Sequence, residues 1–69
     1  AVSIDVVFLK DAPQERGAST VLEVTSLRQG VRPWRPLPLW DSQARHTLEI
    51  PAGMAAGWGL KKGDRLCFV

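Results

Sequence analysis

The chain has one cysteine and one histidine in 69 residues, and this scarcity limits the chemistry it can support. The single cysteine, Cys67, cannot form an internal disulfide. Because a metal site needs several converging histidine, cysteine or carboxylate ligands, we expect no metal and no cofactor. Ser42 and His46 lie four residues apart and suggest a nucleophile and a base, but nothing in the sequence identifies an orienting acid. We therefore expect no catalytic residues and no enzyme activity.

The chain also lacks a long apolar run. No segment approaches the ~20 residues needed to cross a bilayer, and the first nine residues lack the basic region of a signal peptide. The expectation is a cytoplasmic protein without a membrane partner.

The net charge is also small, because nine Lys and Arg against seven Asp and Glu give a net charge of +2. A net charge this small does not by itself indicate binding to nucleic acid.

The short length predicts a single domain, residues 1–69, that associates with itself. A chain of this size buries only roughly 60% of the surface that its unfolded form exposes. Its hydrophobic content of 45% is nevertheless too high for a disordered chain. Because a small core leaves little stability, self-association would help, and we expect a homo-oligomer, with a dimer as the simplest form.

Residue types in the first two thirds of the chain predict β structure. Residues 2–9 begin with polar and apolar alternation and become wholly apolar and β-branched, which favours a first strand. Residues 20–27 favour a second strand that pairs with the first, and residues 10–19 form the loop between them. Residues 29–42 contain Gly30 and three prolines, which exclude a helix or a central strand and predict an extended edge segment.

The last third of the chain predicts a strand followed by a short helix. Residues 46–50 alternate as a strand and end at Pro51, which can open a helix at its first position. We predict this helix near residues 52–58, with Gly59 as the left-handed residue that ends it. Trp58 is expected to be a core anchor of the helix.

A turn and a closing strand complete the predicted fold. Residues 61–64 supply a turn in which Asp64 can accept hydrogen bonds from backbone donors. Residues 65–69 form the closing strand, with Cys67 as an inert packing residue rather than a reactive thiol. The expected architecture is a small, mainly β domain, a partly open β-barrel of four or five strands with one short helix near residues 52–58.

The carboxy-terminal third resembles the swapped-hairpin DNA-binding domain of the AbrB, MazE and SpoVT group. The motif is an isoleucine and proline, a glycine and hydrophobic residue nine positions later, a glycine and aspartate turn, and an alternating strand. Its residues are Ile50, Pro51, Gly59, Leu60, Gly63, Asp64, Leu66 and Phe68. The resemblance covers about 25 residues and implies an intertwined homodimer that binds duplex DNA as a transcriptional regulator or antitoxin-like protein.

Basic residues in this third are the candidates for nucleic-acid binding. In the DNA-binding hypothesis that the resemblance leads to, Arg45, Lys61, Lys62 and Arg65 contact phosphates. Solvated charges in a turn give the simpler interpretation of Lys61, Lys62 and Arg65.

The segment from Arg32 to Trp40 interleaves tryptophan, arginine and proline, and it indicates an alternative function. Arg32, Trp34, Arg35 and Trp40 could form a surface for a protein partner, since tryptophan and arginine dominate interface hot spots. They could also stack on unpaired bases and contact phosphates. The competing interpretation is structural, with Trp34 and Trp40 covering one open side of the barrel.

A further alternative rests on a second resemblance. Residues 50–58 are similar to the Ile-Pro-x-Gly segment of cupin barrels, which include sugar epimerases. Ala56 stands where those proteins usually carry a histidine, so the resemblance implies a metal-free, cupin-like fragment that binds sugar. Met54 and Trp58 would then line the binding pocket.

Overall fold

The computed structural model describes residues 3–13, 20–32 and 40–68. Within these ranges the chain is mainly β, as predicted, and its four antiparallel strands form a curled half-barrel with one short helix. The elements in chain order are β1 (Ile4–Asp11), β2 (Thr20–Val31), β3 (His46–Pro51), α1 (Met54–Gly57) and β4 (Arg65–Phe68).

Strand β1 is a central strand, because the strand order in the sheet is β3-β1-β2-β4. Its residues Val6 to Leu9 are β-branched, aromatic or aliphatic, which suits a strand buried on both faces, and each is at most 3% exposed. The predicted pairing of the first two strands is confirmed, with Val7 opposite Leu27. Strands β3 and β4 lie at the two opposite edges of the sheet.

The core is a buried cluster on one face of the two central strands. Val7 and Leu9 of β1 pack there with Leu22 and Val24 of β2. Partly buried hydrophobic side chains surround this cluster, mostly from the edge strands and the chain between them: Leu27, Leu48, Ile50, Leu60 and Leu66. Burial is therefore complete at the centre of the sheet and incomplete toward its edges.

The connection from β3 to β4 must span the sheet, because it joins the two edge strands. Helix α1 lies in this connection, and Leu60 after it packs against the core cluster, so the connection crosses the face that carries the core. It then meets β2 at Val24. The Val24 amide donates to the Asp64 carbonyl at 2.8 Å, and the Gly63 amide donates to the Val24 carbonyl at 2.9 Å.

Strand β2 is longer than the sequence suggested. The expected edge segment was to begin at residue 29, but β2 continues through Gly30 to Val31, which is opposite Ile4. The expectation of an edge segment was therefore wrong for residues 29–31. Gly30 has a positive φ of 67°, and the pairing register shifts between Ile4 and Val6. This β-bulge absorbs the irregularity, and the hydrogen-bonded ladder continues beyond it. Residues 33–39 lie outside the described ranges.

The helix is shorter than predicted and does not begin at Pro51. That proline is the last residue of β3, opposite Ile4, and α1 begins only at Met54. Trp58 is not a core anchor either, since it is 56% exposed and Ala55 is the buried residue of α1. A four-residue helix turns one narrow face inward, and Leu60 after it contributes the larger apolar side chain to the core.

The closing strand agrees with its prediction over residues 65–68, and Val69 lies outside the described ranges. Cys67 is a strand residue, as expected, but it is exposed rather than packed.

The first loop is shorter than predicted. Residues 10 and 11, which were assigned to this loop, extend β1 instead. The described part of the loop is then Ala12 and Pro13, with residues 14–19 outside the described ranges.

Candidate functional site

The carboxylate of Asp5 joins three distant parts of the chain. Asp5 lies in the central strand and is only 1% exposed. Its Oδ1 accepts a hydrogen bond from the Gly30 amide at 3.0 Å. Its Oδ2 accepts from the amides of Gly53 at 3.0 Å and Ala55 at 3.1 Å. A single side chain thus ties the end of β2 and the start of α1 to the middle of the sheet.

These hydrogen bonds keep Asp5 ionised. The Gly30 amide has the largest effect and lowers the pKa of the carboxyl group, burial acts in the opposite direction, and the amides of Ala55 and Gly53 lower the pKa further. Gly53 presents its amide from a backbone φ of 94°, a left-handed conformation that side-chain-bearing residues rarely adopt. The buried charge is therefore compensated by backbone donors, and its role is to position α1.

The far end of α1 is closed by a glycine cap. Gly59 has a φ of 66°, which confirms the prediction that it ends the helix in a left-handed conformation. Its amide donates to the Ala56 carbonyl at 3.0 Å, and the Leu60 amide donates to the Ala55 carbonyl at 2.9 Å. This pair of bonds is the Schellman arrangement, in which the residue after the glycine packs back on the protein.

Two large apolar side chains remain on the outside of this capped turn. Met54 is 38% exposed and Trp58 is 56% exposed. They are four residues apart, a spacing that places them on one side of a helical turn. The sequence predicted this shared side correctly, although it assigned the side to the core.

A second aspartate, Asp41, holds the segment that precedes β3. Its Oδ2 accepts hydrogen bonds from the Thr25 hydroxyl at 2.7 Å and the Ser26 hydroxyl at 2.6 Å, and its Oδ1 accepts from the Gln43 amide at 2.8 Å. Thr25 is the additional residue at a β-bulge, because Phe8 is opposite Ser26 while Leu9 is opposite Val24. The Ser26 bond, followed by those from Thr25 and Gln43, lowers the pKa of Asp41 to about 2.

The segment held by Asp41 includes one of the predicted partner-binding residues. Trp40 is 68% exposed, the highest exposure among the large hydrophobic side chains of the described residues. Arg32, another of the predicted residues, is also exposed. Trp34 and Arg35 lie outside the described ranges. Trp40 is therefore an exposed tryptophan that directly precedes an aspartate held by hydrogen bonds from β2.

The predicted basic turn is ordered by Asp64. As expected, this aspartate accepts a hydrogen bond from a backbone donor, the Lys61 amide at 2.9 Å. The Lys61 ammonium also lies 3.1 Å from the Asp64 carboxylate. The Lys61 amide is the main reason that the pKa of Asp64 is lowered, and the Lys61 side chain adds to it. Lys62 is exposed in the same turn.

Arg65 belongs to a row of charged residues that crosses the sheet. In register, Lys10 is opposite Glu23, and Glu23 is opposite Arg65. The Glu23 carboxylate lies 3.8 Å from the Lys10 nitrogen and 3.9 Å from Arg65 Nε. Exposed pairs at these distances contribute little to stability. Sequence reasoning missed Lys10 and Glu23, since the alternation of a strand does not reveal its neighbours.

Arg45 lies at the other edge of the sheet. Its amide donates to the Leu9 carbonyl at 2.7 Å, which places it beside the strand position before Lys10. Arg45 and Arg65 are therefore separated by three inter-strand spacings, roughly 14 Å along the sheet. The structure brings Lys61, Lys62 and Arg65 together at the turn before β4 and leaves Arg45 apart from them.

The single histidine pairs with an aspartate rather than with a serine. His46 Nε2 lies 2.9 Å from Asp11 Oδ1, and both side chains are substantially exposed. Among the residues that the structure describes, no three His, Cys, Asp or Glu side chains cluster as a metal site would require.

Comparisons with known proteins found no matching family model, no matching curated protein and no matching solved structure. Within residues 3–13, 20–32 and 40–68, no helix is long and apolar enough to span a membrane.

Proposed function

We propose that this chain is a non-enzymatic binding module that acts as a homodimer and binds through protein contacts. The observation that carries the proposal is the uneven burial of apolar side chains. Four large hydrophobic residues in the described ranges are exposed: Trp40, Met54, Trp58 and Phe68. Exposed aromatic residues and methionine are enriched at interfaces relative to the rest of a protein surface.

The half-barrel gives a second reason for association. The hydrophobic residues around the core cluster are only partly buried, and they lie mostly on the edge strands and on the segment that joins them. A domain of this length has little core with which to stabilise itself, and covering these side chains with a second copy would add apolar burial. The exposed and half-buried residues therefore favour assembly over an isolated monomer.

Sedimentation equilibrium of the purified chain tests the proposal. The expected native mass is twice the chain mass at micromolar concentration, with dissociation on dilution. The urea midpoint should rise with protein concentration, because a dimer is stabilised by mass action. A monomer mass at the highest soluble concentration, together with a concentration-independent midpoint, would contradict the proposal.

Duplex DNA is a second candidate ligand, and the ordered basic turn supports it. Asp64 fixes the backbone of a turn that carries Lys61 and Lys62 and leads directly into Arg65. Cations held in a fixed turn can meet successive phosphates without first being ordered. The net charge of +2 limits this binding to a local surface rather than the whole molecule.

Fluorescence anisotropy with a labelled duplex tests this candidate. Affinity should fall steeply between ~50 and ~200 mM salt. The Lys62→Ala substitution should reduce the slope of log affinity against log salt by roughly 0.9, the contribution of one lost phosphate contact. Lys10→Ala is the matched control, because Lys10 lies in the sheet outside the turn. Absence of binding at low salt, or equal slopes for the two variants, would remove DNA as a ligand.

A further inference from the structure

The two edges of the sheet differ in how well they are protected against pairing with another strand. Natural proteins protect edge strands with charged residues and proline. Strand β3 ends in Pro51, which has no backbone N–H, and it carries an exposed glutamate, Glu49. Strand β4 contains no proline. Its one charged residue, Arg65, is at its first position and lies 3.9 Å from the Glu23 carboxylate of β2, while Cys67 and Phe68 at its other end are exposed. The β4 edge is therefore the less protected one.

The side chains of β4 divide between the two faces of the sheet. Leu66 is opposite Leu22 and packs against the core cluster, so it lies on the core face. Since side chains alternate along a strand, Phe68 lies on the same face, and Arg65 and Cys67 lie on the other. Phe68 is 39% exposed at the end of this apolar row. The core face thus reaches the β4 edge with an apolar side chain that is incompletely covered.

From this edge we infer that two copies of the chain pair antiparallel along β4, with Cys67 opposite Cys67 at the two-fold axis. In this register Leu66 of each copy is opposite Phe68 of the other, and the core faces of both copies form one continuous surface. Directly opposite aromatic and aliphatic residues stabilise an antiparallel pair. A two-fold axis makes every such contact occur twice.

The charges on β4 favour the same register. Each Arg65 lies two residues from the axis, so the two arginines are four residues apart, roughly 14 Å along the strands. This separation exceeds the Debye length of about 8 Å at physiological salt, and their repulsion is largely screened. Centring the pair on Leu66 would instead place Phe68 opposite Asp64, an apolar ring against a carboxylate. A pairing shifted by one residue from either of these would place residues of the core face opposite residues of the other face.

The inference rests on the proposed homodimer and specifies which surface forms it. Cross-linking through Cys67 tests it, because opposite residues in an antiparallel pair have Cα atoms about 4.5 or 5.5 Å apart, within the range of a disulfide. Diamide oxidises the two thiols by taking up their two protons and two electrons. The native chain should give a covalent dimer rapidly at concentrations where it is dimeric. A Thr47→Cys, Cys67→Ser variant, with its thiol on β3, should cross-link far more slowly.

The outcomes separate this inference from the proposed function. Rapid cross-linking in the native chain but not in the β3 variant supports pairing through β4. A dimeric native mass with equally slow cross-linking of both proteins leaves the homodimer standing and overturns the β4 edge. A monomeric mass overturns both.

A second variant tests the apolar pair without the thiol. Phe68→Ser should weaken dimerisation roughly 2- to 30-fold, since it removes both contacts with Leu66 of the other copy. Thr47→Ser, at an exposed residue of the opposite edge strand β3, should leave the dimerisation constant unchanged. Equal effects of the two substitutions would contradict the proposed register. Circular dichroism of both variants confirms that each is folded.

Discussion

Two glycines at opposite ends of α1 allow one feature of the backbone to be tested against an internal control. Gly53 precedes the helix with a φ of 94°, and Gly57 is its last residue with an ordinary helical backbone. A Cβ added at either position meets no atom within 4 Å. Substitution by alanine therefore changes backbone preference without a steric clash. It also leaves the Gly53 amide in place as a donor to Asp5.

The two substitutions should change stability in opposite directions. An L-residue in a left-handed conformation costs roughly 1–2 kcal/mol, so Gly53→Ala should destabilise the fold by about that amount. Gly57→Ala restricts the unfolded chain without straining the helix and should stabilise by about 0.4–1 kcal/mol. In a domain of this size, 1 kcal/mol corresponds to roughly 4–8 °C in Tm. We expect a Tm about 4–16 °C lower for Gly53→Ala and about 2–8 °C higher for Gly57→Ala.

Thermal unfolding followed by tryptophan fluorescence and by circular dichroism measures both shifts. Protein concentration must be equal in all samples, since dimerisation raises Tm. Shifts of the same sign in both variants would refute the reasoning, because they would show that the two positions do not differ in backbone conformation. A Tm unchanged by Gly53→Ala would mean that the left-handed entry to α1 is not required.

Further predictions concern the core, the exposed tryptophan and a buried carboxylate. Leu9→Ala should lower the free energy of unfolding by about 2–5 kcal/mol, a large part of the roughly 3–10 kcal/mol available to a chain of this length. Urea unfolding measures this loss. The control is Thr47→Ala, whose free energy of unfolding should stay within about 0.5 kcal/mol of that of the native chain. At a concentration where the chain is monomeric, Trp40→Ala should leave the urea midpoint nearly unchanged, since this side chain is 68% exposed, and a large loss would place it in the core. The pKa of Asp41 is lowered to about 2 on folding, so its stabilising contribution is present above its unfolded pKa near 3.8 and is lost as pH falls toward 2. The urea midpoint of Asp41→Asn should therefore lie below the native one at pH 6 and approach it at pH 2, and a gap independent of pH would contradict this.

Local sequence patterns were sufficient to predict the strands and the turns. The β-branched run in β1, the glycine at position 59 and the aspartate at position 64 each act through neighbours within a few residues. Their conformations follow from residue type and short spacing, so the predicted strand, helix cap and turn are confirmed. The mainly β fold class follows from the same local signals.

Contacts between distant residues were not predictable from the sequence. The three donors to Asp5 lie 25, 48 and 50 residues further along the chain. Backbone amides leave no mark in the residue types, so the sequence presented Asp5 only as a polar position in a strand. Trp58 shows a related difficulty, because its spacing from Met54 predicts a common side of the helix but not whether that side faces inward. The Schellman turn after Ala55 decides the question by directing Leu60 to the core.

Three aspartates connect the proposed binding surfaces to the sheet. Asp5 holds the helix that exposes Met54, Asp41 holds the segment of Trp40, and Asp64 fixes the basic turn. The pKa of each carboxyl group is lowered by the hydrogen bonds it accepts, so protonation weakens the hydrogen bonds that hold each surface. The apolar cluster of β1 and β2 contains no such group. As the pH falls, the proposed binding surfaces should therefore lose their order before the pairing of the central strands is disrupted. The surfaces and the core of this small domain can then be perturbed independently of each other.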